Sequence, residues 1–159
     1  MTKEQRRDLI EKIKNLPSLI ASAVKNLNDA QLDTPYRTGG WTPRQVVHHL
    51  ADSHMNAFIR MKLTLTENKP SIKGYNQDAW AELADSKKMP IEHSLGIIKA
   101  LHARWGYMLD LVKDSEWERP AHHSERGDVT LETFLNIYGN HGEKHCKQIT
   151  DLRARENWK

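Results

Sequence analysis

Apolar residues recur at helical spacing along almost the whole chain. Between Thr2 and about Asn28 they fall at Leu9, Ile13, Leu16, Ile20, Val24 and Leu27, one face of an amphipathic helix. Pro17 interrupts that face, and because proline lacks the N–H a helix interior needs, the segment is expected to kink or divide there. The turn-rich stretch DTPYRTGG, residues 33–40, separates it from a second helix. That helix has the clearest start in the chain: Thr42 as cap, Pro43 at the first helical position and Gln45 completing a capping box. Its core stripe, Val46, Leu50, Phe58, Met61 and Leu65, runs to about Glu67.

After NKPSIKG a short helix is expected around residues 77–84, and Pro90 opens a third long one. Its apolar positions are Ile91, Leu95, Ile98, Trp105, Leu109 and Val112, with His102 filling the gap in a near-heptad pattern. Residues 114–129 are polar and irregular and have room for a short hairpin at most. The last helix starts at a Thr130 cap and continues through Leu131, Phe134, Leu135, Tyr138, Ile149 and Leu152. No internal repeat and no convincing strand pattern is present. The reading is all-α, an antiparallel four-helix bundle.

Composition narrows the function classes. The 159 residues, 38% of them hydrophobic, suit a single domain with a real core spanning 1–159. A formal net charge of +3 comes from dispersed charges of both signs, and the densest basic run, KEQRR at residues 3–7, has no interleaved aromatics. No nucleic-acid partner is expected. No stretch approaches the ~18 apolar residues of a membrane span, and the charged start MTKEQRRDLIEK lacks the apolar run of a secretion signal. With its single cysteine, Cys146, the chain is expected to be cytoplasmic.

Candidate chemistry lies in the nine histidines. His141 and His145 are four residues apart, about 40° around a helix that advances ~100° per residue. Both fall on the inward arc of the last helix. Two neutral imidazoles on adjacent turns can share one metal ion. Gly142 beside them, which costs roughly 1 kcal/mol against alanine, signals that something approaches closely there. Glu143 points to the opposite face, unlike the base of a zinc protease.

A third ligand has four candidates: His48, His49, His54 and His102. Helical geometry favours His54 and His102, which lie near the middle of their stripes, whereas His49 lies about 120° from the centre of its own. His48 lies further toward solvent, and Asp52 is spaced to orient an imidazole of this pair. His93 reads as a surface residue, and His122 and His123 as loop residues. Cys146 turns away from the pair and reads as a small buried hydrophobe.

The wording GGWTPRQVVHHLADSHMN, followed far downstream by NHGEKHCKQI, resembles the DinB-like superfamily of metal-binding four-helix bundles. Within it, VVHHLADSHMNAFIRMKL is similar to the YfiT branch, described as metal-dependent hydrolases and linked to bacillithiol S-transferases. The likeness covers nearly the whole chain. It implies three metal ligands, His49, His141 and His145, and leaves His54 and His102 to line the pocket or stand behind the ligands.

The same resemblance implies a function. Three neutral ligands would hold one divalent ion, zinc or nickel, with a position open to water or substrate. Such a site suits an enzyme that activates a small thiol for transfer to an electrophile, or water for hydrolysis, acting on a small-molecule substrate in a pocket near Trp105, Met61 or Tyr138. The branch forms homodimers. The competing reading is a non-catalytic metal- or small-ligand-binding bundle, and the residues that would act as acid or base are not identified by the sequence.

Overall fold

A computed structural model describes residues 1–158. In chain order its elements are α1 (Lys3–Val24), α2 (Asp29–Leu32), α3 (Pro43–Thr66), β1 (Ser71–Ile72), α4 (Gln77–Ala81), α5 (Ala84–Lys88), α6 (Glu92–Asp110), a 3-10 turn (Asp114–Glu116), β2 (Pro120–His123), β3 (Gly127–Thr130) and α7 (Leu131–Arg155). The four long helices α1, α3, α6 and α7 form the expected bundle.

The caps work as the sequence suggested. Thr42 and Thr130 each accept the backbone N–H three residues on, Gln45 and Thr133 respectively, and so set the first turns of α3 and α7. Pro17 does not divide α1, which runs unbroken through it. Buried residues on either side, Ile13, Leu16 and Ile20, anchor both halves in the core. The carbonyl that the proline leaves without its usual partner, that of Ile13, accepts instead from His102 Nδ1 on α6 at 2.6 Å. The short helix expected over 77–84 is two, α4 and α5, with Glu82 and Leu83 between them.

The directions of the helices are mixed. α1 and α3 occupy opposite corners, each lying against both α6 and α7. Arg6 meets Glu132 and Arg153 reaches the carbonyl of Ala23, so α1 and α7 run parallel. His48 meets Ser94 and Met61 meets Trp105, so α3 and α6 are parallel too. The antiparallel relation read from the sequence holds for the other two neighbouring pairs, α1 with α6 and α3 with α7. The long connection over 67–91 allows the parallel pair, because the chain must travel the length of α3 before α6 starts.

A small sheet, ordered β1-β2-β3, caps one side. β2 and β3 form the hairpin for which residues 114–129 left room, turning at Gly127 with φ 70°. β1 joins it in parallel, Ser71 opposite His122. That strand was not anticipated, because two residues carry no alternation to read.

The apolar core lies in two parts. One gathers Ile13, Met61, Trp105, Phe134 and Leu135; the other gathers Leu16, Ile20, Val46, Leu50, Ile98 and Ile149. Along every long helix except α1, histidines occupy the level between them, His54 on α3, His102 on α6, His141 and His145 on α7, with His49 about one turn before His54 at the edge of the second part. Among the described residues no helix is long and apolar enough to cross a membrane.

Candidate metal centre

α3 and α7, running antiparallel, bring His49 from one side and His141 and His145 from the other. His49 Nε2 is 3.4 Å from His141 Nε2, and His145 Nε2 is 3.1 Å from it. One ring nitrogen from each lies within 4.8 Å of the others, and among the described residues no fourth histidine, cysteine or acid joins this group. The set coincides with the positions to which the resemblance pointed.

Each ring is held by its surroundings. His145 Nδ1 donates to the side-chain oxygen of Gln148 at 2.8 Å, which leaves its Nε2 lone pair facing His141. Trp41 lies parallel to His145, interplanar angle 9°, and packs at 4.6 Å between centroids against His49. Burial pushes the His49 imidazolium down to about 3 and that of His141 to about 2, with the neighbouring histidines adding repulsion. His145 is lowered by burial as well. All three are therefore neutral near pH 7, the form that offers a lone pair to a metal.

Nitrogens bound to one tetrahedral zinc at ~2.0–2.1 Å would stand roughly 3.3–3.4 Å apart. The two short Nε2 separations here are of that size. Neutral lone pairs directed at one another across such a gap are unfavourable without a cation or a proton between them, so the donor set fits a divalent ion.

His54 and His102 point inward as their stripes indicated, but at each other. His54 Nδ1 is 2.9 Å from His102 Nε2, and His54 Nε2 is 3.0 Å from His141 Nδ1. Both are buried, His54 completely. His54 thus touches a member of the trio without joining it.

Three other readings need correction. His48 is not on the solvent side: it is 5% exposed, its Nε2 donating to the carbonyl of Met89 at 3.0 Å and its Nδ1 facing Ser94 Oγ at 2.8 Å. The segment between α5 and α6 covers it. Those partners occupy both ring nitrogens of His48, and the hydrogen-bond contact of His49 is to His141, so Asp52 orients neither imidazole of the pair. Asp52 is half-buried, and its carboxyl is pushed up to about 6 by that burial. His122 and His123 both lie in strand β2 rather than a loop, His123 buried and His122 exposed, pairing with Asp128 at 2.8 Å. The close approach expected at Gly142 is present and is made by Leu16 of α1, whose Cδ1 would stand 2.5 Å from a Cβ there.

His141 and His145 open on a pocket of about 840 Å³ whose walls include Trp41, Arg60, Tyr75, His123, Tyr138 and Lys144. The sequence pointed to Tyr138 there but missed Arg60, and the other two residues it placed at the pocket, Trp105 and Met61, are buried in the core instead. Its guanidinium is buried, donating to Tyr138 Oη at 2.9 Å and to the Lys73 carbonyl at 2.8 Å. Neither partner is charged. A cation placed on a face that its own helix pattern marks as semi-polar gave no signal; only the arrival of the β1 segment over α3 encloses it.

The DinB superfamily model matches residues 13–149. A Bacillus mycoides (strain KBAB4) protein named "Putative metal-dependent hydrolase" is 48% identical over 149 residues, covering 94% of this chain and 86% of that one. A Bacillus cereus (strain 03BB102) protein of the same name is 46% identical over 158 residues, 99% of this chain and 91% of that one. Among solved structures, YfiT from Bacillus subtilis, described as a "probable metal-dependent hydrolase with an unusual four-helix bundle topology", superimposes with a TM-score of 0.96 at 44% identity over 100% of this chain and 91% of its own. By the extent of the family match and the identity to these relatives, the chain belongs to the DinB superfamily.

Proposed function

We propose that the protein is a metal-dependent enzyme whose His49, His141 and His145 hold one divalent ion, zinc or nickel, at the floor of the pocket. The observation that carries this reading is the mutual approach of three neutral imidazole nitrogens, 3.1 and 3.4 Å across the two short gaps, with a pocket on one side. The names of the relatives support metal dependence and hydrolysis. Bound there, a divalent ion keeps both positive charges and lowers the pKa of a water or thiol in its open position, supplying a nucleophile near neutral pH.

The chain's own residues do the rest. Gln148 holds His145 in the tautomer that offers Nε2. Trp41 fixes the orientation of His49 and His145 by packing and shields them from water. Arg60, buried and bonded only to neutral groups, presents positive charge to an anionic part of the substrate. The resemblance to the YfiT branch favours a small thiol as the activated group and an electrophilic small molecule as acceptor. Hydrolysis is the reading the relatives' names favour. We also propose that residues 1–159 act as one domain, in the cytoplasm, as a homodimer.

The competing reading, a non-catalytic metal- or ligand-binding bundle, predicts a closed shell. Three ligands beside a large, polar-walled pocket favour the enzyme. The test is metal content per chain of untagged protein by plasma mass spectrometry, with His49→Ala and His145→Ala prepared alongside, followed by parallel screens for ester hydrolysis and thiol consumption. About one zinc or nickel per wild-type chain, absent from both variants, supports the site. A metal-free parent reconstituted by neither ion would remove the basis of the proposal.

A further inference from the structure

α1 contributes no ligand to the trio, yet a continuous line of hydrogen bonds joins it to His141. The line runs from the Ile13 carbonyl to His102 Nδ1 at 2.6 Å, from His102 Nε2 to His54 Nδ1 at 2.9 Å, and from His54 Nε2 to His141 Nδ1 at 3.0 Å. Its end at α1 has only one possible polarity. A carbonyl oxygen accepts and never donates, so His102 carries its proton on Nδ1.

A neutral His102 then has a bare Nε2, which can only accept, so His54 must carry its proton on Nδ1. His54 Nε2 is bare in turn and accepts from His141, which must carry its proton on Nδ1. The last ring is left with a lone pair on Nε2, the atom that faces His49 and His145. Both rings are buried, His54 completely, and every hydrogen-bond partner they have is neutral, so nothing compensates the second proton that would break the alternation.

The acceptor that starts this line exists because of Pro17. In an unbroken helix the carbonyl of Ile13 would be taken by the N–H of residue 17, four positions on, and proline has none. The residue that should have weakened α1 is the one that frees a backbone acceptor for α6.

We propose that Pro17, His102 and His54 form a positioning relay that fixes the tautomer and orientation of His141, so that its Nε2 is kept unprotonated for the metal. The proposal rests on the reading of His141 as a ligand. His54 and His102 are positioning residues, acting through His141 and touching neither metal nor substrate. The relay ties the ligand on α7 to the backbone of α1 through a ring from each of α3 and α6, so all four long helices bear on one nitrogen.

The experiment is a long-range proton–nitrogen NMR correlation of the imidazoles in the metal-free full-length protein, paired with zinc affinity from a chelator competition, for wild type, His102→Leu and His102→Gln. Wild type should show His102, His54 and His141 all protonated on Nδ1. His102→Leu removes the acceptor that faces His54, so the His54 proton moves to Nε2, the His141 proton is displaced to its own Nε2, and zinc affinity falls about ten- to a hundredfold. Glutamine offers an acceptor and a donor in one side chain, and His102→Gln should restore most of the affinity and the Nδ1–H signal of His141. Should His102→Leu fail to fold, the wild-type spectrum decides alone: His141 protonated on Nε2 overturns the relay. Unchanged zinc affinity and tautomer in a folded His102→Leu overturns it equally. A wild type that binds neither zinc nor nickel instead overturns the metal reading, whatever the tautomers.

Discussion

Leu16 of α1 packs directly on the backbone of Gly142 in α7, so close that a β-carbon at 142 would lie 2.5 Å from either of its methyl groups. Leu16 is 3% exposed and has nowhere to retreat. Gly142→Ala should therefore destabilise the fold by about 1–3 kcal/mol through overpacking, in spite of the roughly 1 kcal/mol by which alanine favours a helix. Urea denaturation of the metal-free protein measures the balance. A more stable variant would show that α1 and α7 can move apart freely.

Acid should weaken the metal-free protein early. His49, His54 and His141 are buried neutral with depressed imidazolium values, about 3 and about 2 for the first and last. In the unfolded chain the same rings take up protons near the ordinary value of ~6.5. Above that value both states are unprotonated and these groups contribute no pH dependence. Below it only the unfolded chain gains protons, so stability falls as pH drops, by up to ~1.4 kcal/mol per pH unit for each such histidine. Urea midpoints measured in chelator at pH 7.5, 6, 5 and 4 should decline steadily from about pH 6.5; a flat profile from 7.5 to 5 would contradict the burial of these rings.

Cys146, adjacent to His145 in sequence, should take no part in metal binding. It is 2% exposed, and burial pushes its thiol up to about 12. A disulfide reagent should label it only after unfolding, and Cys146→Ala should retain full metal content. Rapid labelling of the native protein, suppressed by zinc, would make it part of the site.

The Thr42 side chain accepts from Gln45 N–H at 3.2 Å while the Gln45 side chain accepts from Thr42 N–H at 3.0 Å. Thr42→Ala should cost about 1 kcal/mol, read as a lowered thermal midpoint. Because His49 stands two turns further along α3, its metal content should be preserved. Loss of metal without loss of stability would place the cap itself in the site.

How much of this was legible depends on the kind of signal each residue sends. The caps at Thr42 and Thr130 and the apolar stripes are local, and they located the long helices. His141 and His145 were legible for the same reason, lying one turn apart on the inward arc. His49 was not, because stripe geometry presumes a helix with one wet side. α3 is covered by α6 and α7 and also by α4 and α5, which leaves Arg44, Gln45, His48, His49, Ser53 and Arg60 buried on faces that read as polar. Only the family resemblance singled out His49. β1 and the role of Pro17 depend on partners about fifty and ninety residues away, at His122 and His102, and no window of sequence contains both ends.

The parallel run of α1 beside α7 also shapes the order in which the molecule is made. Partners such as Arg6 and Glu132 are 126 residues apart, and His49 and His141 are 92 apart. Helical proteins usually fold fast because their contacts are local; here the first helix must wait for the last, and loop closure of that length slows the search. A nascent chain that ends before α7 has neither of the two histidines on adjacent turns nor the surface that Leu9 and Leu16 cover. With the proposed ligand set, metal capture would belong to the closing step of folding, when the C-terminal helix docks, and a chain truncated ahead of it is predicted to be blind to the ion.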